Sequence, residues 1–436
     1  MRPVHPKMIV APVEPSHAPD SPKDRESRGA RVRFTPVRTV WRRTGVAFGV
    51  LFLTAAITAR AAQPQKFVTF DSKATSAQVK AWNDRYVFVW GASNQALTGA
   101  LATHVPKALL SAYYPYSRDP DAKHDVSFWK AHHPSWIAYT CDGVTPATMY
   151  GDPNVVLDIT NPDVIAWQIQ NFLNRRPDIK AVALDNFQFH NAGRVCGVQD
   201  PSGHFVTRYE LKSSDAVFAQ DTVRWLESVY ATLHAHQVEV VINHIPDLSS
   251  DGDDPNLPLV ARMVSATDGI LDEHAQLALH DSRKAALLTK FVSYVESKGK
   301  WTYLLYQLDS ADRSAVESAM ANYLMMAGSR TAIYLSHRDD TYGHEPDFMG
   351  FDREIGEPCG PVETRDGVLL RGYSKGLSIF SPAGLKPMQV PVPAGYTSVD
   401  GDAVGSTVPL QGGQGRVLYT PRGDTTGCTM APGHRR

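Results

Sequence analysis

Two acidic segments each follow directly on a short apolar run. Residues 181–187 read AVALDNF and residues 268–274 read DGILDEH, so Asp185 and the Asp272-Glu273 pair stand where apolar stretches stop. If such runs are β-strands, each carboxylate emerges at the end of its strand. Two carboxylates facing one another across a cleft are what hydrolysis of a glycosidic bond requires: one attacks or stabilises the anomeric centre, the other protonates the leaving oxygen. Asp185 and Glu273 are the candidates, with Asp272 the rival for the second place. Each residue also has a plainer reading, Asp185 as the cap of a following turn or helix and the other two as solvated loop acids.

Other apolar runs close on polar or aromatic residues. Trp90, Tyr114, Tyr139, Asp142, Asn186, Asn243, His244, Tyr306 and His337 stand at or beside such ends, and Asp158 follows VVL ahead of a helix. Sugars bind through such mixtures, because aromatic faces cover the apolar side of a pyranose while amides and carboxylates take its hydroxyls. Taken singly, each of the tyrosines reads as readily as core packing, and Asp158 as an organiser of its own loop. No cofactor is expected. The sixteen histidines raise a metal site, but no H-E-x-x-H occurs, and His234 and His236 are two apart in a helical stretch, hence on different faces. A G-x-S-x-G elbow is also absent, which disfavours a serine esterase.

The elements that position these residues alternate along the chain. Apolar runs at 86–91, 107–114, 135–140, 181–187, 238–245, 268–273, 301–307 and 331–336 are separated by stretches of helical spacing such as Pro162–Arg175 and Ser214–His236. Parallel strands joined by crossover helices have this texture. Eight strands over roughly 250 residues predict a (β/α)8 TIM barrel, whose active site lies at the C-terminal ends of the strands. A doubly wound open sheet is the alternative, but neither G-x-G-x-x-G after the first strand nor a P-loop is present. Beyond residue 345 the runs VLLRGY, LSIFSP, PMQVPV and GRVLYT, punctuated by Gly, Pro and Asp-Gly, predict a small antiparallel β-sandwich.

The N-terminus differs in kind from the body. Residues 1–44 carry ten Lys and Arg against four Asp and Glu with almost no apolar periodicity, and read as a disordered basic extension. Arg42-Arg43 then precede the uncharged run Gly45–Ala59 and the small-residue site Arg60-Ala61-Ala62. That is a secretory signal layout, too short to span a bilayer, over residues 45–62; an uncleaved signal anchor is the alternative. Residues 63–345 are then the barrel and 346–436 the β-domain, exported to the periplasm or beyond, with no stable membrane span after cleavage. An oxidising compartment suits the four cysteines, which lack any C-x-x-C spacing. Of three possible connectivities, Cys141 with Cys196 and Cys359 with Cys428 join residues within one region of the chain. From residue 63 onward 33 Lys and Arg face 41 Asp and Glu, and a net-acidic body argues against nucleic acid as partner.

The stretches SWIAYTCDG, VVLDITNPDVIAWQ, AVALDNFQFHNAGRVCG, VVINH and GILDEH together resemble glycoside hydrolase-like TIM-barrel families related to the α-galactosidase superfamily. The likeness covers most of 80–420, including the SKGLSIFSP run of the β-domain. It implies an Asp nucleophile after strand four and an acid/base after strand six, matching Asp185 and Glu273, and a retaining mechanism on a poly- or oligosaccharide. The sequence departs from the pattern in one respect, offering Asp272 and Glu273 side by side where those families carry a single Asp. Two rivals of other classes stand beside this reading: a carbohydrate-binding barrel without turnover, and a metal-dependent hydrolase or deacetylase using Asp185 with His190, His244 or His274.

Overall fold

The computed structural model describes residues 63–70, 74–82, 85–92, 95–121, 123–149, 154–210, 215–246, 257–310, 312–337, 342–344, 346–421 and 428. The basic extension and the signal-like segment lie outside the described residues. In chain order the elements begin β1 (Gln65–Thr69), α1 (Ser76–Ala81), β2 (Tyr86–Trp90), α2 (Gln95–His104), β3 (Leu109–Pro115), α3 (Val126–His132), β4 (Ala138–Tyr139), α4 (Pro162–Arg175) and β5 (Ala181–Asp185). They continue with β6 (Gly197–Gln199), β7 (Phe205–Thr207), α5 (Ala216–Ala235), β8 (Glu239–Asn243), α6 (Pro258–Ser265), β9 (Gly269–Asp272), α7 (Leu277–His280), α8 (Ser282–Ser297), β10 (Trp301–Gln307), α9 (Arg313–Met326) and β11 (Thr331–Ser336). The remaining strands are β12 (Glu363–Arg365), β13 (Val368–Tyr373), β14 (Gly376–Phe380), β15 (Met388–Pro391), β16 (Thr407–Leu410) and β17 (Gly415–Tyr419).

Eight parallel strands close in the order β1-β11-β10-β9-β8-β5-β3-β2, so the chain is a TIM barrel followed by antiparallel sheets. Two expected strand positions are corrected. The first barrel strand is β1, QKFVT, which the sequence reading passed over because it opens on Gln and Lys. Lys66 is nevertheless buried, its ammonium 2.8 Å from Asp352 Oδ2. Conversely, the run 135–140 contributes no barrel strand. It starts as a 3₁₀ turn over Pro134–Trp136 and leaves only β4, which pairs antiparallel with β6, and β6 with β7, in a small sheet outside the barrel. One strand missed and one added ahead of residue 181 cancel, so β5 is the fourth barrel strand and β9 the sixth.

That small sheet ties together the loops following β3 and β5, both of which leave the C-terminal end of the barrel. Cys141 just after β4 is disulfide-bonded to Cys196 just before β6, and the Cys196 N–H donates to Tyr139 O. Cys359 and Cys428 form the second bridge, so both pairings are as expected. Local signals set the helices. Asn161 caps α4 ahead of Pro162 at its first position, and Asp215 and Asp312 cap α5 and α9 through their carboxylates. Among the described residues no helix is long and apolar enough to cross a membrane.

Helix α9 joins the two parts. Every residue from Val316 to Met326 is buried, as for a helix covered on all sides. On one flank it meets Leu304, Tyr306, Ile333 and Leu335 of β10 and β11; on the other, Tyr373, Phe380, Val417 and Tyr419 of the sheet β12-β13-β14-β17. The opposite face of that sheet packs Leu370, Leu377, Ile379 and Leu418 against Val390, Val408 and Leu410 of the β15-β16 pair, giving the expected sandwich. Polar contacts fix the seam. Arg371 Nη1 donates to the carbonyls of Leu324 and Ala327 at the C-terminal end of α9, and Glu317 Oε1 accepts from Arg416 Nε and the Val417 N–H.

Because α9 is buried on both flanks, Met320→Ala opens a void in the core that barrel and sheet share. We expect a loss of about 2–5 kcal/mol in unfolding free energy by urea titration, with barrel and sheet unfolding in one transition.

Candidate active site

Strand alternation decides which side chains reach the barrel interior. Register partners in parallel strands share a face, and one face can be followed right round the barrel: Phe88 with Leu109, Tyr113 with Ala183, Ala183 with Val241, Val241 with Gly269, and Tyr303 with Leu271 and Ala332. This is the inner face. Phe88 and Tyr303 stack at 4.3 Å across it, and Phe67 meets Tyr303 and Tyr334 at 5.4 and 5.7 Å. Gly269 makes room there, since a Cβ would lie 2.8 Å from the Tyr303 ring. The next layer toward the C-terminal ends holds Thr69, Trp90, Tyr113, Asp185, Asn243, Gln307 and Ser336.

Asp185 is half-buried in that upper layer and accepts three hydrogen bonds. Tyr113 Oη donates to Oδ2 at 2.9 Å, Asn186 Nδ2 to Oδ2 at 2.9 Å and Asn243 Nδ2 to Oδ1 at 2.7 Å. The donors come from β3, from β8 and from the residue that follows β5. Asn186 adopts φ +61°, a left-handed conformation that Asn tolerates better than most residues, and this turns its amide back onto Asp185. All three donors are neutral, so they fix the carboxylate's orientation without supplying a countercharge.

The second acidic segment divides by the same alternation. Asp272 sits on the outer face of β9, is 1% exposed, and points toward α8, where Lys284 is equally buried. Its Oδ2 lies 3.1 Å from Lys284 Nζ, although that oxygen accepts no well-aligned hydrogen bond; Oδ1 accepts from the His274 N–H, and Lys284 Nζ also donates to Pro246 O. Glu273, one residue on, falls on the inner parity just past the strand. It is 31% exposed, with Oε1 3.9 Å from His274 Nε2.

The remaining expected residues scatter. Asn186 and Asn243 gather at Asp185. Trp90 is on the inner face but only 1% exposed, packed edge-on against Phe88. Tyr114 and Tyr306 are on outer faces: Tyr114 meets Asn171 and Phe172 of α4, and Tyr306 donates to Asn322 Oδ1 of α9. Burial pushes both phenols well above their ordinary range. His244 is fully buried behind β8 among Phe187, Phe189 and Phe291. Tyr139 lies in the β4-β6-β7 sheet region, in a satellite core with Trp129 and Leu157. Asp142 organises an exposed turn, where the Thr145 hydroxyl and backbone N–H groups hold its carboxyl far below the usual range. Asp158 is buried against Arg208 Nη1 at 2.9 Å and also accepts from the Thr160 hydroxyl. His337 is half-buried, one residue past β11.

Several mouth residues escaped the sequence reading. Tyr113 is the clearest, being adjacent to the expected Tyr114 but of opposite parity. Phe70 follows β1 at φ +49°, an unusual conformation for a bulky residue, and costs about 1–3 kcal/mol to hold. Its ring lies 5.7 Å from Tyr113 and stacks at 5.6 Å on Tyr342, whose hydroxyl accepts from Gln307 Nε2 at 3.0 Å. The Gln307 N–H in turn donates to Gln276 Oε1 at 3.2 Å.

Among the described residues no three His, Cys, Asp or Glu side chains gather as a metal site would require. No family model matches the sequence, and no curated protein gives a significant match to it. Among solved structures the chain is similar to an α-amylase from Lactobacillus plantarum, at 11% identity and TM-score 0.41, over 78% of this chain and 84% of that one. It is also similar to the GH36 α-galactosidase AgaA from Geobacillus stearothermophilus, at 9% identity and TM-score 0.43, over 83% and 57% of the two chains. A GH31 dextranase from Flavobacterium johnsoniae gives 8% identity and TM-score 0.43 over 83% and 52%. One barrel fold hosts many activities, so function is argued from the site.

The buried Asp272–Lys284 pair predicts a purely structural phenotype. Asp272→Ala leaves an uncompensated ammonium in the core, and we expect a loss of about 3–5 kcal/mol in denaturant unfolding. Asp185→Asn, at a half-exposed position, should stay within about 1 kcal/mol of the parent.

Proposed function

We propose that the protein is an exported glycoside hydrolase that cleaves O-glycosidic bonds of a poly- or oligosaccharide by a retaining mechanism. The observation that carries this reading is the Asp185 carboxylate, half-buried at the C-terminal end of the fourth barrel strand and held by three neutral donors. Among the described residues Asp185 has no cation partner, whereas Asp158 and Asp272 each face one. A nucleophile needs this combination, with orientation fixed and charge retained for the electrophile. Glu273 is the proposed partner. It stands two strands round from Asp185, with β8 between, on the inner parity and partly open to solvent.

In the proposed reaction an Asp185 oxygen attacks the anomeric carbon as Glu273 protonates the departing glycosidic oxygen, leaving a glycosyl ester on Asp185. Glu273, now a carboxylate, takes a proton from water as that water attacks the same carbon, and Asp185 is released. Asn243, Asn186 and Tyr113 keep the carboxylate aimed through both steps. In this reading residues 63–345 form the catalytic barrel, 346–436 the β-domain and 45–62 a leader preceded by the extension 1–44. The two disulfides are compatible with an oxidising destination.

The test is hydrolysis of a panel of neutral and charged polysaccharides, with reducing ends counted and the anomer of the first product read by NMR. We expect Asp185→Asn to lower kcat on the order of a thousandfold or more and Glu273→Gln by about 10²–10⁴-fold, both variants remaining folded. Unchanged activity in both would dismiss these carboxylates. Sugar binding without turnover in the parent would select the non-catalytic barrel, and loss of activity with chelator the metal-dependent one.

A further inference from the structure

The upper layer of the barrel holds polar atoms with nothing to bond. Thr69 Oγ1, Asn243 Oδ1 and Ser336 Oγ have no hydrogen-bond partner among the described residues, and the three side chains are 1%, 2% and 3% exposed. All three belong to the inner face at the C-terminal ends of their strands: Thr69 shares the face of Phe67, Asn243 that of Val241, and Ser336 is in register with Gln307. Buried hydroxyl and amide oxygens are seldom left unpaired, and those that are call for a specific explanation. Three at one level of one barrel, beside Asp185, point to a ligand rich in hydroxyls.

A pair of aromatic rings follows two of them along the chain. Phe70 follows Thr69, and Tyr342 lies beyond Ser336 on the chain leaving β11. The two rings stack at an interplanar angle of 27°, and both are half-buried, whereas the rings one layer down are sealed. The pair is built at some strain. Phe70 holds its left-handed backbone through its N–H to Trp90 O at 2.7 Å, while the Gly343 N–H donates to Thr69 O at 2.7 Å. Gly91 leaves space for the Phe70 ring, since a Cβ there would lie 3.1 Å from it. A strained, half-open ring on a rigid strand end is an expense the core does not require.

We propose that the ends of β1 and β11 form a seat for one uncharged sugar ring, stacked on Phe70 and Tyr342 with hydroxyls directed to Thr69 Oγ1 and Ser336 Oγ. The seat rests on the reading of Asp185 as the reacting carboxylate only in so far as Tyr113, which touches Phe70 and donates to Asp185, links the two. The ligand class is a neutral glycan: the seat consists of hydroxyl, amide and aromatic groups.

The seat is tested by calorimetric titration of maltotriose, cellotriose, xylotriose, mannotriose and chitotriose into the Asp185→Asn protein, with Thr69→Val, Ser336→Ala and Phe70→Leu added singly. Removing an unpaired buried hydroxyl leaves stability unchanged or raises it, and Leu keeps apolar bulk without a flat face. We therefore expect at least one trisaccharide to bind and each substitution to weaken it by about tenfold with Tm unchanged or higher in Thr69→Val and Ser336→Ala. Affinity within twofold of the parent in all three variants, or no binding of any trisaccharide, overturns the seat. If binding depends on these residues while no protein form hydrolyses any glycan, the seat stands and the hydrolase reading falls. If Asp185→Asn abolishes hydrolysis while Thr69→Val, Ser336→Ala and Phe70→Leu leave binding unchanged in the Asp185→Asn protein and turnover unchanged when each is introduced alone into the parent, the reverse holds.

Discussion

Everything at the mouth of this barrel depends on the two-residue period of a β-strand. A closed parallel barrel has both faces of every strand buried, the inner against other strands and the outer against helices. Adjacent residues at a strand end therefore enter different worlds. Asp272 turns outward into a dry layer, where its carboxylate lies 3.1 Å from Lys284 Nζ. Glu273 falls on the other side, partly in water. The same division separates Tyr113, bonded to Asp185, from Tyr114, packed on α4, and Gln307, bonded to Tyr342, from Tyr306, bonded to α9.

The acids of the upper barrel show how environment assigns a role to one residue type. Asp158 is answered by Arg208 and the Thr160 hydroxyl, Asp272 by Lys284, and Asp142 by the hydroxyls and N–H groups of its own turn. Asp158 and Asp272 thus each face a cation, while Asp142 organises its own exposed turn. Asp185 is answered only by a phenol and two amides, which define its direction without a countercharge. That contrast sets Asp185 apart from Asp158 and Asp272, which are buried beside a cation.

Much of this was legible in the sequence, and what was not follows from the same period. The barrel was readable because a parallel strand buried on both faces becomes a short apolar run, and Asp185 because a lone acid ends such a run. Double burial also erases the alternation that would tell inside from outside. KALLSAYYP and WTYLLYQ are apolar on both faces, so the reading settled on Tyr114 and Tyr306, one residue away from the inward-facing Tyr113 and Gln307. His244 likewise ends its run but is sealed behind β8. Phe70 and Tyr342 lie outside any apolar run, and β1 itself is disguised by a lysine whose burial depends on Asp352, almost 290 residues away in the chain.

The β-domain has a place in this logic. Tyr306 and Leu304 on the outer face of β10, and Ile333 and Leu335 on that of β11, pack on α9, whose far side is covered by β13, β14 and β17. The strands that carry Gln307 and Ser336 at the mouth are thus backed by a helix with no solvent-exposed flank between Val316 and Met326. A helix open to water on one side can shift with its strand; one filled on both sides holds the strand against it, because close-packed cores resist small displacements. The terminal sheet therefore stiffens the side of the barrel on which the aromatic pair and the unpaired hydroxyls stand. On the other side the Cys141–Cys196 bridge binds together the loops that follow β3 and β5, the strands of Tyr113 and Asp185. The two sides of the barrel mouth are in this way braced by two different devices, one of packing and one covalent.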